Sequence, residues 1–129
     1  LFDYCFMVET EKPGVSMGLY YELPVFKDVY RLTLLLYTLT QNFTREYKFT
    51  LGQEMKRDCL QLVRSIYRAN KTRSKEAYLD QFLDDFELLK LEIRLCVDLK
   101  LVSLKHQAEM ALLMEGIGKQ ITGWRNANR

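Results

Sequence analysis

The 129-residue sequence predicts an all-α protein, an antiparallel up-down-up-down four-helix bundle. Three observations carry this. From Pro24 onward, apolar residues recur at three- and four-residue steps in four successive stretches. Period-two alternation and Asn-Gly or Asp-Gly hairpin turns are absent. The stretches are joined by short polar connections, which make consecutive helices antiparallel neighbours.

The first helix is expected over residues 24–41. Pro24 suits its first turn, where a missing N–H costs nothing. Val25, Phe26, Val29, Leu32, Leu36 and Leu39 form its main face. Leu34, Leu35 and Tyr37 fill other angles, so this helix is covered on more than one side. Residues 42–45 connect it to the second helix, residues 46–69. There Leu51, Met55, Cys59, Leu62, Val63 and Ile66 share a face. Residues 70–74 form a polar loop, with Ser74 or Thr72 as cap of the third helix.

The third helix, residues 75–101, carries two apolar stripes. One is Leu79, Phe82, Phe86, Leu89, Ile93 and Cys96; the other is Leu88, Leu95 and Leu99. A second stripe points to a wider core or a subunit contact. The fourth helix follows Ser103 as N-cap and runs to residue 126. Met110, Leu113, Ile117 and Trp124 form its main stripe, flanked by Met114 and Ile121; Leu104, Ala108, Ala111 and Leu112 form another. Gly116, Gly118 and Gly123 interrupt it, each costing up to about 1 kcal/mol against Ala. The first two read as points of close backbone approach.

Hydrophobic residues make up 48% of the chain, enough for one core, and the length allows one domain. Residues 1–16 read as an appendage and 17–129 as the bundle domain. The appendage carries Asp3, Glu9 and Glu11 without a basic start, unlike a signal peptide. No apolar run is long enough to cross a bilayer, so no membrane partner is expected. Cys5, Cys59 and Cys96 lack disulfide or metal spacing and read as reduced cysteines of a cytoplasmic protein.

Catalytic constellations are missing from the sequence. His106, the single histidine, sits at a helix start among polar residues. Asp84 and Asp85 belong to an acidic stretch with Asp80, Glu87 and Glu92, which reads as a solvated face. One histidine cannot supply the repeated Glu-x-x-His of a di-iron bundle. No enzymatic role, catalytic residue, cofactor or metal ligand is assigned.

The net charge of +2 hides a strong separation. Residues 43–75 hold nine basic and three acidic groups, a balance of +6. Residues 76–102 hold three basic and seven acidic groups, a balance of −4. Arg57, Arg64, Arg68 and Lys71 fall within about 60° of one another on the second helix, opposite its apolar face. Arg73 and Lys75 extend this basic region into the loop. Such a stripe is an electrostatic footprint for phosphates. It reads equally as a solvated face, or as an ion-pair partner for the acidic third helix of the same or a neighbouring subunit. Tyr47, Tyr67 and Tyr78 flank it and are available to stack on unpaired bases.

Five segments carry a family resemblance. They are Leu23-Pro24-Val25-Phe26-Lys27, Phe43-Thr44-Arg45-Glu46-Tyr47-Lys48-Phe49-Thr50-Leu51-Gly52, Ile66-Tyr67-Arg68-Ala69-Asn70, Asp98-Leu99-Lys100-Leu101-Val102-Ser103, and Ile117-Gly118-Lys119-Gln120-Ile121-Thr122-Gly123-Trp124. Over about residues 19–126 the chain resembles the accessory variability determinant (Avd) family of diversity-generating retroelements. That family lies within a four-helix-bundle group that also includes the proteins encoded in 23S ribosomal RNA intervening sequences. The intervening-sequence branch usually carries a Ser-Asn-Ile-Ala-Glu-Gly-type segment; Tyr67-Arg68-Ala69-Asn70-Lys71-Thr72 stands there instead. The resemblance implies a cyclic homopentamer that does no chemistry itself. It implies binding to the retroelement's reverse transcriptase and, through basic surface, to RNA or DNA. It also adds Lys119 and Arg125 as candidate contacts, with Trp124 read as packing. The alternative is an intervening-sequence-type structural or interaction protein with no reverse-transcriptase partner.

Overall fold

Leu23 is extended (φ −65°, ψ 135°) and delivers Pro24 to the first turn of α1, Pro24–Thr40. The computed structural model describes residues 19–128. The reading of residues 1–16, with Cys5, falls outside them. A 3₁₀ turn, Tyr20–Glu22, precedes α1. A single-turn helix α2, Arg45–Lys48, is followed by the long helices α3, Leu51–Lys71, α4, Glu76–Asp98, and α5, Leu104–Ala127. Among the described residues no strand occurs and no helix is long and apolar enough to cross a membrane.

Specific contacts fix the directions. Cys96 Sγ near the end of α4 donates to Met55 Sδ near the start of α3, at 3.3 Å. Arg125 near the end of α5 pairs with Asp80 near the start of α4, at 3.3 Å. Gln120 Nε2 of α5 donates to Asp28 Oδ2 of α1 at 2.8 Å. The Tyr20 ring before α1 meets the Tyr67 ring late in α3, with centroids 5.2 Å apart. The four long helices therefore alternate in direction and pack in the ring α1–α3–α4–α5, the arrangement of a four-helix bundle.

Inside the ring, Val29, Leu32, Leu36, Met55, Cys59, Leu62, Ile66, Leu79, Phe82, Leu89, Cys96, Met110, Ile117 and Ile121 are buried almost completely. The main stripe expected on the third helix is buried throughout. On α5 the centre of the face is rotated from expectation. Met114 and Ile121, expected to flank, are buried, whereas Leu113 and Trp124 are half-buried. The second stripes are not core. Leu88, Leu95 and Leu99 are 49%, 43% and 42% exposed, and Leu104 and Leu112 are exposed on α5 with Ala108 and Ala111.

Three element boundaries differ from the sequence reading. The second helix is broken at Phe49 and Thr50, so its long part starts at Leu51 and runs on to Lys71. Thr50 Oγ1 donates to Glu46 O at 2.7 Å, a local bond that competes with the helical ladder. The break brings Gly52 against the chain before it; a Cβ there would lie 3.3 Å from Tyr47 O and 3.4 Å from Thr40. The third helix ends at Asp98 rather than at residue 101. Lys100 adopts φ 60°, Leu101 N–H donates to Cys96 O at 2.8 Å, and Lys100 N–H donates to Val97 O at 3.0 Å. This is a Schellman ending with lysine in the place usually held by glycine.

Neither Ser74 nor Thr72 caps α4 through its side chain; the N-cap position is Lys75. Ser103 does cap α5, its Oγ accepting from His106 N–H at 3.2 Å. The expected close approaches at Gly116 and Gly118 are absent. A Cβ would stand 3.9 Å from Asp28 Oδ2 at Gly116 and 3.6 Å from Phe86 at Gly118, ordinary contact distances.

Candidate nucleic-acid interface

The α3 sequence places its buried residues, Met55, Cys59, Leu62, Ile66 and Ala69, on one side. Arg57, Arg64, Arg68 and Lys71 are all exposed on the other. The last turn also carries Arg68 and Lys71, at the negative end of the helix dipole, where cations are favoured. Arg57, Arg64 and Arg68 form no ion pair or hydrogen bond among the described residues. Lys71 Nζ lies 4.5 Å from the Tyr67 ring centroid and 3.5 Å from its hydroxyl. Arg73 is exposed in the following loop.

The remaining candidates sit elsewhere. Lys75 is half-buried, and its Nζ donates to Ala69 O at 2.7 Å, Asn70 O at 3.3 Å and Thr72 O at 2.7 Å. It closes the end of α3 from outside the helix, and burial pushes its pKa down. Its ammonium also lies 5.9 Å from the Trp124 ring. Arg125 joins Asp80 across the α4–α5 seam. Lys119 is exposed and pairs with Glu115 one turn away, at 3.1 Å. The stripe on α3 thus consists of Arg57, Arg64, Arg68 and Lys71, with Arg73 beyond it.

The acidic stretch of α4 is only partly a solvated face. Asp84 and Glu87 are exposed, but Glu92 is 4% exposed, and its Oε1 is buried without a hydrogen-bond partner. Its carboxyl hydrogen-bonds Asp58 of α3, with Glu54 nearby. Burial, then the Asp58 contact, pushes the Glu92 pKa up to about 8. Burial likewise raises the Cys59 thiol to about 12 and the Cys96 thiol to about 11. Sequence spacing assigned Glu92 to the surface because its neighbours are charged. Its position one turn from both Leu89 and Cys96 was the signal that it faces inward.

The tyrosines divide. Tyr67 is 40% exposed, whereas Tyr47 and Tyr78 are half-buried against the core. Tyr30 and Tyr37 of α1, not singled out by the sequence reading, are as exposed as Tyr67, and Lys56 Nζ lies 5.2 Å from the Tyr37 ring. Among the described residues no group of three or more His, Cys, Asp or Glu side chains is placed to hold a metal ion. The chemistry this face offers is recognition of anions by unpaired guanidinium groups.

No curated protein matches the chain. A family model described as bAvd-like matches residues 25–128, from the first turn of α1 through the end of α5. The match spans the whole bundle and agrees with the five-segment resemblance, and the chain belongs to the bAvd-like family, a family of Avd-type accessory proteins.

Proposed function

We propose that the chain is a non-catalytic accessory protein of a diversity-generating retroelement. In this reading it binds the element's reverse transcriptase and its template RNA or cDNA, and so supports mutagenic cDNA synthesis. The observation that carries this is the exposed α3 stripe of Arg57, Arg64 and Arg68, which no carboxylate of the described chain neutralises. Cations left unpaired on a surface are available to phosphates, and each phosphate contact releases condensed counterions. Family membership supplies the accessory role. The exposed leucines of α4 and α5 fit self-association into a closed ring, a pentamer in this reading.

The test is charge reversal of Arg57, Arg64 and Arg68 together. The triple variant is expected to lose co-purification with reverse transcriptase or template RNA while keeping its helical circular dichroism. Unchanged binding of both partners would remove this surface from the function. An adjacent reverse-transcriptase gene with template and variable repeats supports the retroelement setting; a 23S ribosomal RNA location favours the intervening-sequence alternative.

A further inference from the structure

Arg64 and Arg68 border a cleft of about 560 Å³ between α3 and α4, which also takes in Asp58, Gln61, Gln81 and Asp85. The arginines are exposed, whereas Asp58, Gln61 and Asp85 are half-buried. Neither arginine pairs with either aspartate. Gln81 Nε2 donates to Asp85 Oδ1 at 3.1 Å, which leaves Gln81 Oε1 and Asp85 Oδ2 as acceptors. The half-buried Tyr78 contributes a ring to the same wall. The cleft therefore presents cations at its border and acceptors within.

A nucleotide is the complement of that lining. Its phosphate is anionic, and the amino group of adenine, cytosine or guanine is a donor. In a duplex each base is stacked between its neighbours and cannot enter a cleft, so the occupant is a single strand. We propose that the cleft takes one unpaired amino-bearing base, adenine, cytosine or guanine, with Arg64 and Arg68 on the flanking phosphates. This rests on the nucleic-acid reading above and adds base selectivity to it. Uracil and thymine lack that amino group; their one edge N–H stands between two carbonyl oxygens, which the same acceptors repel, and they are disfavoured.

Fluorescence anisotropy with labelled 12-nucleotide oligo(A), oligo(C) and oligo(U), and with oligo(dA), oligo(dC) and oligo(dT), tests the proposal on the full chain. Adenine and cytosine strands are expected to bind about tenfold tighter than uracil or thymine strands, the discrimination of one good base contact. Preference in the ribo or the deoxy series alone also supports the cleft and assigns the strand. Asp85→Asn converts an acceptor to an amide of the same shape, and is expected to abolish the preference while leaving uracil binding intact. Arg64→Glu with Arg68→Glu is expected to weaken every strand. Equal binding of all bases by the parent protein, or a preference that survives Asp85→Asn, overturns the base cleft and leaves the nucleic-acid reading standing. No binding to any strand overturns both.

Discussion

Glu92 is the residue at which the sequence pattern misleads most. Its charge and its acidic neighbours place it in water; its helical position places it in the α3–α4 seam, 4% exposed against Asp58. Position wins because burying its neighbours Leu89, Ile93 and Cys96 leaves no route for a short side chain to solvent. The carboxyl answers by staying protonated, with its pKa raised to about 8 from an ordinary 4.5. Between those values the unfolded chain has released a proton that the folded chain keeps. Stability therefore falls as pH rises from about 4.5 to about 8, by at most about 1.4 kcal/mol per pH unit, and then levels. Glu92→Gln keeps the shape and a donor but cannot ionise. It is expected to match the parent in thermal unfolding near pH 4.5 and to exceed it increasingly toward pH 8. A stability difference that does not change with pH would contradict the buried-acid account. Lys75 was illegible for a related reason: a lysine beside a basic stripe counts as basic surface in the sequence, and only the fold turns it back onto the α3 carbonyls.

At the scale of elements, the four helices and their main buried faces were legible because period and burial have the same cause. The ends were less so. Ser103 was readable as a cap, since a serine hydroxyl has a standard role before a helix. The end of α4 was not, because Lys100 holds the left-handed position without the glycine that normally announces it. The break before α3 was hidden as well, because Tyr47, Leu51 and Met55 keep helical spacing across it. Glycines show the same limit, as sequence cannot tell a required glycine from a tolerated one. At Gly52 the nearest obstacle is the Tyr47 backbone carbonyl, which cannot swing aside as a side chain would. At Gly123 nothing lies within 4 Å of an added Cβ. Gly123→Ala is therefore expected to stabilise by up to about 1 kcal/mol, raising the melting temperature by about 4 °C. Gly52→Ala is expected to lower it. Thermal melts followed by circular dichroism compare the two, and equal shifts of the same sign would refute the distinction.

At the scale of the whole molecule, the surface of α4 carries complementary features on opposite sides. Leu88, Leu91, Leu95 and Leu99 form an exposed ridge leaning toward α3, 42–55% accessible. Facing α5, a groove of about 1000 Å³ is floored by Phe86, Ile93, Val97, Ala111, Met114 and Gly118. A ridge on one side and a groove on the other suit a head-to-tail contact, in which each copy gives its ridge to one neighbour and its groove to the next. Such heterologous contacts close into rings when the rotation fits, whereas a two-fold dimer would match each patch with itself. The second stripe on the third helix was legible in sequence; the groove was not, since its lining is shared between α4 and α5. The proposed ring makes a specific demand. Leu91→Glu with Leu95→Glu places two carboxylates on the ridge without touching the buried stripe, so each subunit should keep its fold. Light scattering on the eluting protein is expected to give a closed multi-subunit mass for the parent and a monomer for the double variant, with unchanged helical content in both. A monodisperse parent monomer would sink the ring, and an undissociated variant would move its interface away from α4.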